Sequence, residues 1–307
     1  MASIRSHIIR FISAQYMKRV TPYRDVTELR IGLETRTGLL PPARGVAIQS
    51  TDIENIKCEW HVPAGCEHAP VIFYLHGGAY VMGSPATHRR LVSHIARAAK
   101  MRAVVPDYRL APEHRFPAAL EDSLKVYRNL VNNGLEAKRI AIGGDSAGGN
   151  LAASTLLALR DAAETLPSAC FLMSPWLDMT GEGESLRTRA GIDPWFRPEH
   201  LAPTAGKIFS DADKRNPLVS PVFADVSNLP SVLVHVGDHE ILLSDSTRFV
   251  DNISRAGGEV ELRVWPGMWH VFQFFVGQMP ESNQSIEHIA EFLRSKLEQP
   301  ASQERAA

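Results

Sequence analysis

Hydrophobic and polar positions fall into two alternating rhythms along this chain. Short, mostly apolar runs, rich in β-branched and aromatic residues, occur at 71–75, 103–106, 139–143, 231–236 and 260–265. They read as strands buried on both faces. Between and after them apolar positions return every three to four residues near 86–99, 117–133, 147–163, 243–256 and 283–297, the period of helices that pack one face on a sheet. Strand alternating with helix predicts an α/β fold with a mostly parallel sheet wrapped on both sides. Two earlier strands, near 45–49 and 56–62, follow each other without a helix and predict an antiparallel edge. No internal repeat or low-complexity linker interrupts the pattern, and residues 299–307, small and polar, predict a frayed end.

The first twenty residues carry a further helical period. Ile4, Ile8, Ile9, Phe11, Ile12, Tyr16 and Met17 lie mostly on one side, with Arg5, Arg10, Lys18 and Arg19 largely elsewhere. A basic amphipathic helix of this kind can rest on a membrane surface.

The chemistry begins where the strand at 139–143 runs into Gly144-Asp145-Ser146-Ala147-Gly148-Gly149 and then a helix. This is the form of a nucleophile elbow: a sharp strand-to-helix turn strains the central residue, and small residues flanking Ser146 at two positions on either side let strand and helix pass closely. Upstream, the strand at 71–75 ends in His76-Gly77-Gly78-Ala79-Tyr80. The backbone N–H groups of Gly77 and Gly78, with that of Ala147, form a candidate cradle for an oxygen that turns negative as a carbonyl becomes tetrahedral. Two late strands then end in candidate partners, Asp238-His239-Glu240 and Met268-Trp269-His270. Serine, acid and histidine thus come in the chain order that such an elbow requires, each at the end of its own strand.

These residues resemble the α/β-hydrolases similar to the catalytic domain of hormone-sensitive lipase. The resemblance covers nearly the whole chain. It rests on His76 to Gly78, the stretch Asp107 to His114, the box around Ser146, Ser174-Pro175-Trp176-Leu177-Asp178, and the late acid and histidine. It implies an α/β-hydrolase fold with an eight-stranded mostly parallel sheet and a small helical cap. It also implies a serine carboxylesterase acting without a cofactor on short to medium acyl esters through an acyl-serine intermediate. Residues 1–45 and 177–222 would form the cap, with the N-terminal helix and Trp195, Phe196 and Phe209 walling the substrate pocket, and 46–176 and 223–307 the catalytic domain. Edge-to-edge homodimers are common in such proteins. Lactone opening, amide hydrolysis and deacetylation use the same machinery, and ligand-binding relatives of the fold lack the histidine that is present here as His270.

The acid departs from the commoner pattern of the family. Aligning its leucine region with Ile241-Leu242 puts Glu240, thirty residues before His270, at the catalytic position, with Asp238 as the runner-up. Other polar residues in the boxes read as structural. His76 would hold the oxyanion loop, Asp107 and Arg109 would pair with each other, Asp145 would cap the helix or brace the turn, and Ser174 is an ordinary serine. His235 and His239 are four apart, but the first lies in a strand and Gly237 intervenes, so no metal site is expected.

Length and charge narrow the function further. A chain of 307 residues suits one α/β sheet with an inserted cap, and a net charge of −1 offers no basic field for nucleic acid. Cys58, Cys66 and Cys170 form neither a disulfide framework nor a metal knuckle, and Arg5 and Arg10 interrupt any secretory core. The expectation is a cytoplasmic protein with a small-molecule ester as its partner and no stable membrane insertion.

Overall fold

The apolar runs assemble into one eight-stranded sheet in the order β1-β2-β4-β3-β5-β6-β7-β8. The strands are β1 (Val46–Ile53), β2 (Ile56–Pro63), β3 (Val71–Leu75), β4 (Arg102–Pro106), β5 (Ile140–Asp145), β6 (Ala169–Met173), β7 (Ser231–Gly237) and β8 (Val260–Trp265). A computed structural model describes residues 2–19, 25–38, 40–209 and 213–297, so the expected fraying of 299–307 lies outside the described residues. β2 pairs antiparallel with β1 and β4, and the remaining pairs are parallel. β1 runs four residues past the expected end at Gln49, through the polar Ser50, Thr51 and Asp52. An edge strand tolerates them because one side faces water, and a two-residue turn with positive φ at Glu54 (51°) and Asn55 (63°) closes the hairpin.

Helices cover both faces. α3 (Pro85–Ala99) and α9 (Pro280–Leu297) lie on one side, where Leu91, Ile95, Ile289 and Leu293 pack against Ile72, Tyr74 and Phe171. α4 (Ala118–Asn132), α5 (Ala147–Asp161) and α8 (Leu243–Arg255) lie on the other, over Phe73, Leu75 and Ile142. All five residues of β3 are fully buried, which is why the run shows no alternation; each large apolar side chain so buried contributes about 1.5–3 kcal/mol. α3 starts at a reciprocal cap: Ser84 accepts from the Thr87 backbone N–H, and the Thr87 hydroxyl accepts from that of Ser84.

Two short helices, α6 (Ser185–Thr188) and α7 (Leu201–Phe209), stand between β6 and β7, and α1 (Ile4–Arg19) and α2 (Val26–Thr37) precede the sheet. α1 is turned opposite to the expected sense. Ile4, Ile8, Phe11 and Ile12 are exposed, because polar bonds from the other side hold the helix: Ser3 to Glu281, and Arg10 Nη2 to the Ile192 carbonyl at 2.6 Å. Ile9 alone of the α1 isoleucines packs on the Trp265, Trp269 and Phe272 cluster. Among the described residues, no helix is long and apolar enough to cross a membrane.

Three of the buried histidines, His61, His76 and His235, are held neutral within this frame. Burial pushes His61 and His76 down to about 3, with Arg89 and His88 adding to it respectively, and carries His235 well below the usual value with help from His288. Below about 6.5 the unfolded chain takes up protons that the folded one refuses, so this stability is complete above that pH and declines as pH falls toward 3. The melting temperature is therefore expected to drop steadily from pH 7 to pH 5, and the slope to be shallower in a His61→Phe variant. An identical slope in the two proteins would remove His61 from this account.

Candidate active site

The parallel strands β3, β5, β6, β7 and β8 all end on one edge of the sheet, and the chemically suggestive loops meet there. Ser146 follows β5 directly, with φ 52° and ψ −120°, a conformation that costs a non-glycine residue about 1–3 kcal/mol. Its neighbours hold it there. Its N–H donates to the Met173 carbonyl at 2.9 Å, and its carbonyl accepts from Trp176 at 3.1 Å. The flanking glycines are required by space: a Cβ on Gly148 would stand 2.1 Å from the Leu75 carbonyl oxygen, and one on Gly144 2.4 Å from that of Gly148. α5 begins at Ala147, so the Ala147 N–H lies at a helix N-terminus, where partial positive charge gathers.

The loop after β3 is held by a buried carboxylate. Asp145 Oδ1 accepts from the Tyr74 hydroxyl at 2.6 Å and from the Gly77 N–H at 3.0 Å. Burial works against this charge, but His88, Tyr74 and His76 hold the carboxyl below the usual range. Gly77 is thus corrected as an oxyanion donor, since its N–H is already bound to Asp145. Among the described residues, the N–H groups of Gly78, Ala79 and Ala147 donate no hydrogen bond. Positive φ at Gly78 (120°), Ala79 (53°) and Tyr80 (57°) shapes the turn that presents them. His76 stacks on Tyr108 with ring centroids 4.2 Å apart, and its Nδ1 lies 2.9 Å from the Gly77 carbonyl. Kept neutral by burial, it braces this loop.

On the far side of Ser146, His270 Nδ1 lies 3.0 Å from Glu240 Oε2, with both side chains buried. The other carboxylate oxygen of Glu240 accepts from the Gly237 N–H at 2.5 Å and the Ser174 hydroxyl at 2.9 Å. Asp238, by contrast, is half-exposed and accepts from the Gly267 N–H at 2.6 Å, which ties the β7 loop to the β8 loop. Ser174, which reads as ordinary in the sequence, takes the Val271 N–H at 3.0 Å while donating to Glu240, and so links the acid to the residue after His270. Its φ of 46°, at the end of β6, makes this reach. The only sequence signal for it was its place in the Ser174 to Asp178 box. Ser146 and His270 thus hang from one segment, Met173 to Trp176. Among the described residues no hydrogen bond ends on the Ser146 hydroxyl, as is common for such contacts before substrate binds.

One other expectation is corrected. Arg109 pairs with Asp122 at 2.8 Å and Glu121 at 3.0 Å, while Asp107 is exposed, because the Arg109 side chain turns back onto α4. His235 lies in β7 as a core residue, with Nδ1 at 2.8 Å from the Ser285 hydroxyl and Nε2 at 2.8 Å from His288 Nδ1. Among the described residues, no group of three His, Cys, Asp or Glu side chains could hold a metal ion.

Residues 72–274 match a protein family of the alpha/beta hydrolase fold. An esterase of Acinetobacter venetianus is 38% identical over 87% of this chain and 88% of its own. An acetyl-hydrolase of Streptomyces hygroscopicus is 38% identical over 79% and 81%. Among solved structures, an esterase from the bacterial hormone-sensitive lipase family superposes with a TM-score of 0.92 at 39% identity, covering 97% of this chain and 99% of its own. EstE5, soaked with p-nitrophenyl butyrate, superposes with a TM-score of 0.91 at 36% identity, covering 96% and 99%.

Proposed function

The chain belongs to the hormone-sensitive-lipase-like branch of the α/β-hydrolase family and is a serine carboxylic ester hydrolase, and from that premise we propose how its own residues carry the reaction. Ser146 is the nucleophile, His270 the base that takes its proton and later returns it to the leaving alcohol, and Glu240 the acid that fixes the imidazole and stabilises its charged form. The observation that carries this reading is the buried 3.0 Å contact between His270 Nδ1 and Glu240 Oε2, on the edge of the sheet where the strained Ser146 emerges. The developing oxyanion is received by the N–H groups of Gly78, Ala79 and Ala147. Departure of the alcohol leaves an acyl group on Ser146 Oγ. Water deprotonated by His270 then attacks the acyl carbon, and the acid leaves as the serine regains its proton. An acyl-length series on the Ser146→Ala variant tests the scheme.

Residues 1–45 and 177–222 form the cap over this site, with 46–176 and 223–307 as the catalytic domain. The ends of the second cap segment, near Leu177 and Val222, are embedded in the core, so the part that roofs the site is its middle. Phe196 meets the His270 ring edge-on, with centroids 4.7 Å apart. Tyr80, Phe116, Leu151, Ile208 and Phe209 line a small apolar void beside the oxyanion loop. Esters of short to medium acyl chains are the substrates of this reading, and the three free thiols support a cytoplasmic setting.

Asp145 sets the oxyanion loop in this scheme. Asp145→Ala leaves the Tyr74 hydroxyl and the Gly77 N–H without their acceptor, so kcat is expected to fall about 10²-fold, comparable to loss of one oxyanion donor. Asp145→Asn, which keeps an accepting oxygen, should lose less. Steady-state kinetics of the two variants checks the order.

A further inference from the structure

The cap segment that follows α6 is fastened to the residue next to the acid. Asp193, buried at 3% exposure, accepts through Oδ1 from the N–H groups of Trp195 at 2.8 Å and Phe196 at 3.0 Å. Its other oxygen, Oδ2, accepts from the N–H of Ile241 at 2.9 Å. The Ile241 carbonyl is gripped as well, by the Ser185 hydroxyl at 2.5 Å. The peptide groups around the residue after Glu240 are therefore held on both sides by the cap.

The same carboxylate shapes the wall around the histidine. The two N–H groups it orders belong to the aromatic residues that touch His270: Phe196 at 4.7 Å and 87°, and Trp195 at 6.4 Å and 62° between ring centroids. Arg10 adds a tie from α1 to the neighbouring Ile192 carbonyl.

This carboxylate is costly to keep. Among the described residues no lysine or arginine pairs with Asp193, and burial pushes its carboxyl up against the pull of three backbone N–H donors. A buried anion without a cation is a poor source of stability. Its three bonds do share one geometric result, since they join the acid loop and the histidine wall at a single point.

We propose that Asp193 is a positioning residue for ester hydrolysis, fixing the cap segment 185–196 as a rigid wall that holds Glu240 and His270 in register, so that this side of the cap does not open as a lid. The inference rests on the reading of Glu240 and His270 as acid and base. Asp193→Asn keeps the shape but cannot accept from all three N–H groups at once. Displacing a catalytic group by about 1 Å can cost 10²-fold in rate, so kcat is expected to fall about 10–10²-fold.

The experiment is steady-state hydrolysis of p-nitrophenyl butyrate by full-length wild type, Asp193→Asn, Ser185→Ala and Glu240→Ala, with proton NMR of the far-downfield Nδ1–H signal that a His–carboxylate bond gives. The expected result for Asp193→Asn is a kcat loss with KM within twofold and a broadened or shifted signal. Ser185→Ala should show a smaller loss in the same direction, and it carries the test alone if Asp193→Asn fails to fold. Wild-type kcat and an unchanged signal in a folded Asp193→Asn protein, with Glu240→Ala inactive, would overturn this proposal while leaving the acid and base in place. An active Glu240→Ala would overturn the underlying reading instead. A rise in KM with kcat unchanged would make the segment a substrate wall alone, and would equally overturn the proposal.

Discussion

Ser146→Ala is expected to hydrolyse no p-nitrophenyl ester, from acetate to palmitate, at a rate above about one part in 10⁶ of the wild type, the scale of loss when a serine nucleophile that acts as a unit with its base is removed. The wild type should peak at short to medium chains. The argument starts from the backbone. A residue held at φ 52° and ψ −120° between strand and helix is strained, and the strain persists only because Met173, Trp176 and two glycines fix every neighbouring atom. Alanine accepts the same backbone and keeps the oxyanion N–H groups, so the variant isolates the loss of the hydroxyl. The residual rate should come from binding and the oxyanion cradle. A variant that turns over the esters at the wild-type rate would end the assignment of covalent catalysis to Ser146, and an unchanged melting temperature would show that the loss is chemical.

The elements that govern this result were legible in the sequence because their signals are local. An elbow is six consecutive residues, the strands before it and before His76 are continuous apolar runs, and the order of serine, acid and histidine needs no distances. The helices were visible for the same reason: in α8, Phe249, Val250 and Ile253 repeat on one face. What escaped the sequence depends on reach across the fold. The Gly77 N–H looks free until Asp145, 68 residues away, is seen to accept from it. Ser174 looks ordinary until the sheet order sets β6 between β5 and β7, which brings its hydroxyl beneath Glu240. Arg109 could be read as the partner of its near neighbour Asp107 only while the rotation of α4, which offers Asp122, was unseen. The outward turn of α1 was hidden for a related reason. Its apolar stripe is real, but the bonds made by Ser3 and Arg10 on the opposite side decide which side faces inward.

The acid gives the second large effect, and it is a discrimination between two carboxylates two residues apart. Glu240→Ala is expected to lower kcat about 10⁴-fold, the loss typical when the acid of such a relay is removed, whereas Asp238→Ala should cost less than about tenfold. Nearness to the strand end favours Asp238, whereas the thirty-residue spacing to His270 favours Glu240. Side-chain length agrees with the second. Asp238 is half-exposed and turned toward the Gly267 N–H, where it ties two loops together. Glu240 is fully buried, and its longer side chain spans the distance to His270 Nδ1 while its second oxygen is satisfied by Gly237 and Ser174. A carboxylate in that position is oriented by three donors, Gly237, Ser174 and His270, and the imidazolium formed during the reaction is the one partner whose charge it offsets. Glu240→Gln separates charge from shape: it retains an oxygen for Ser174 and Gly237 but turns a donor toward the histidine. Its kcat should fall nearly as far as that of the alanine variant, with its melting temperature closer to wild type. If instead Asp238→Ala is the inactive protein and Glu240→Ala retains turnover, the relay runs through Asp238 and the 3.0 Å contact to Glu240 is only structural.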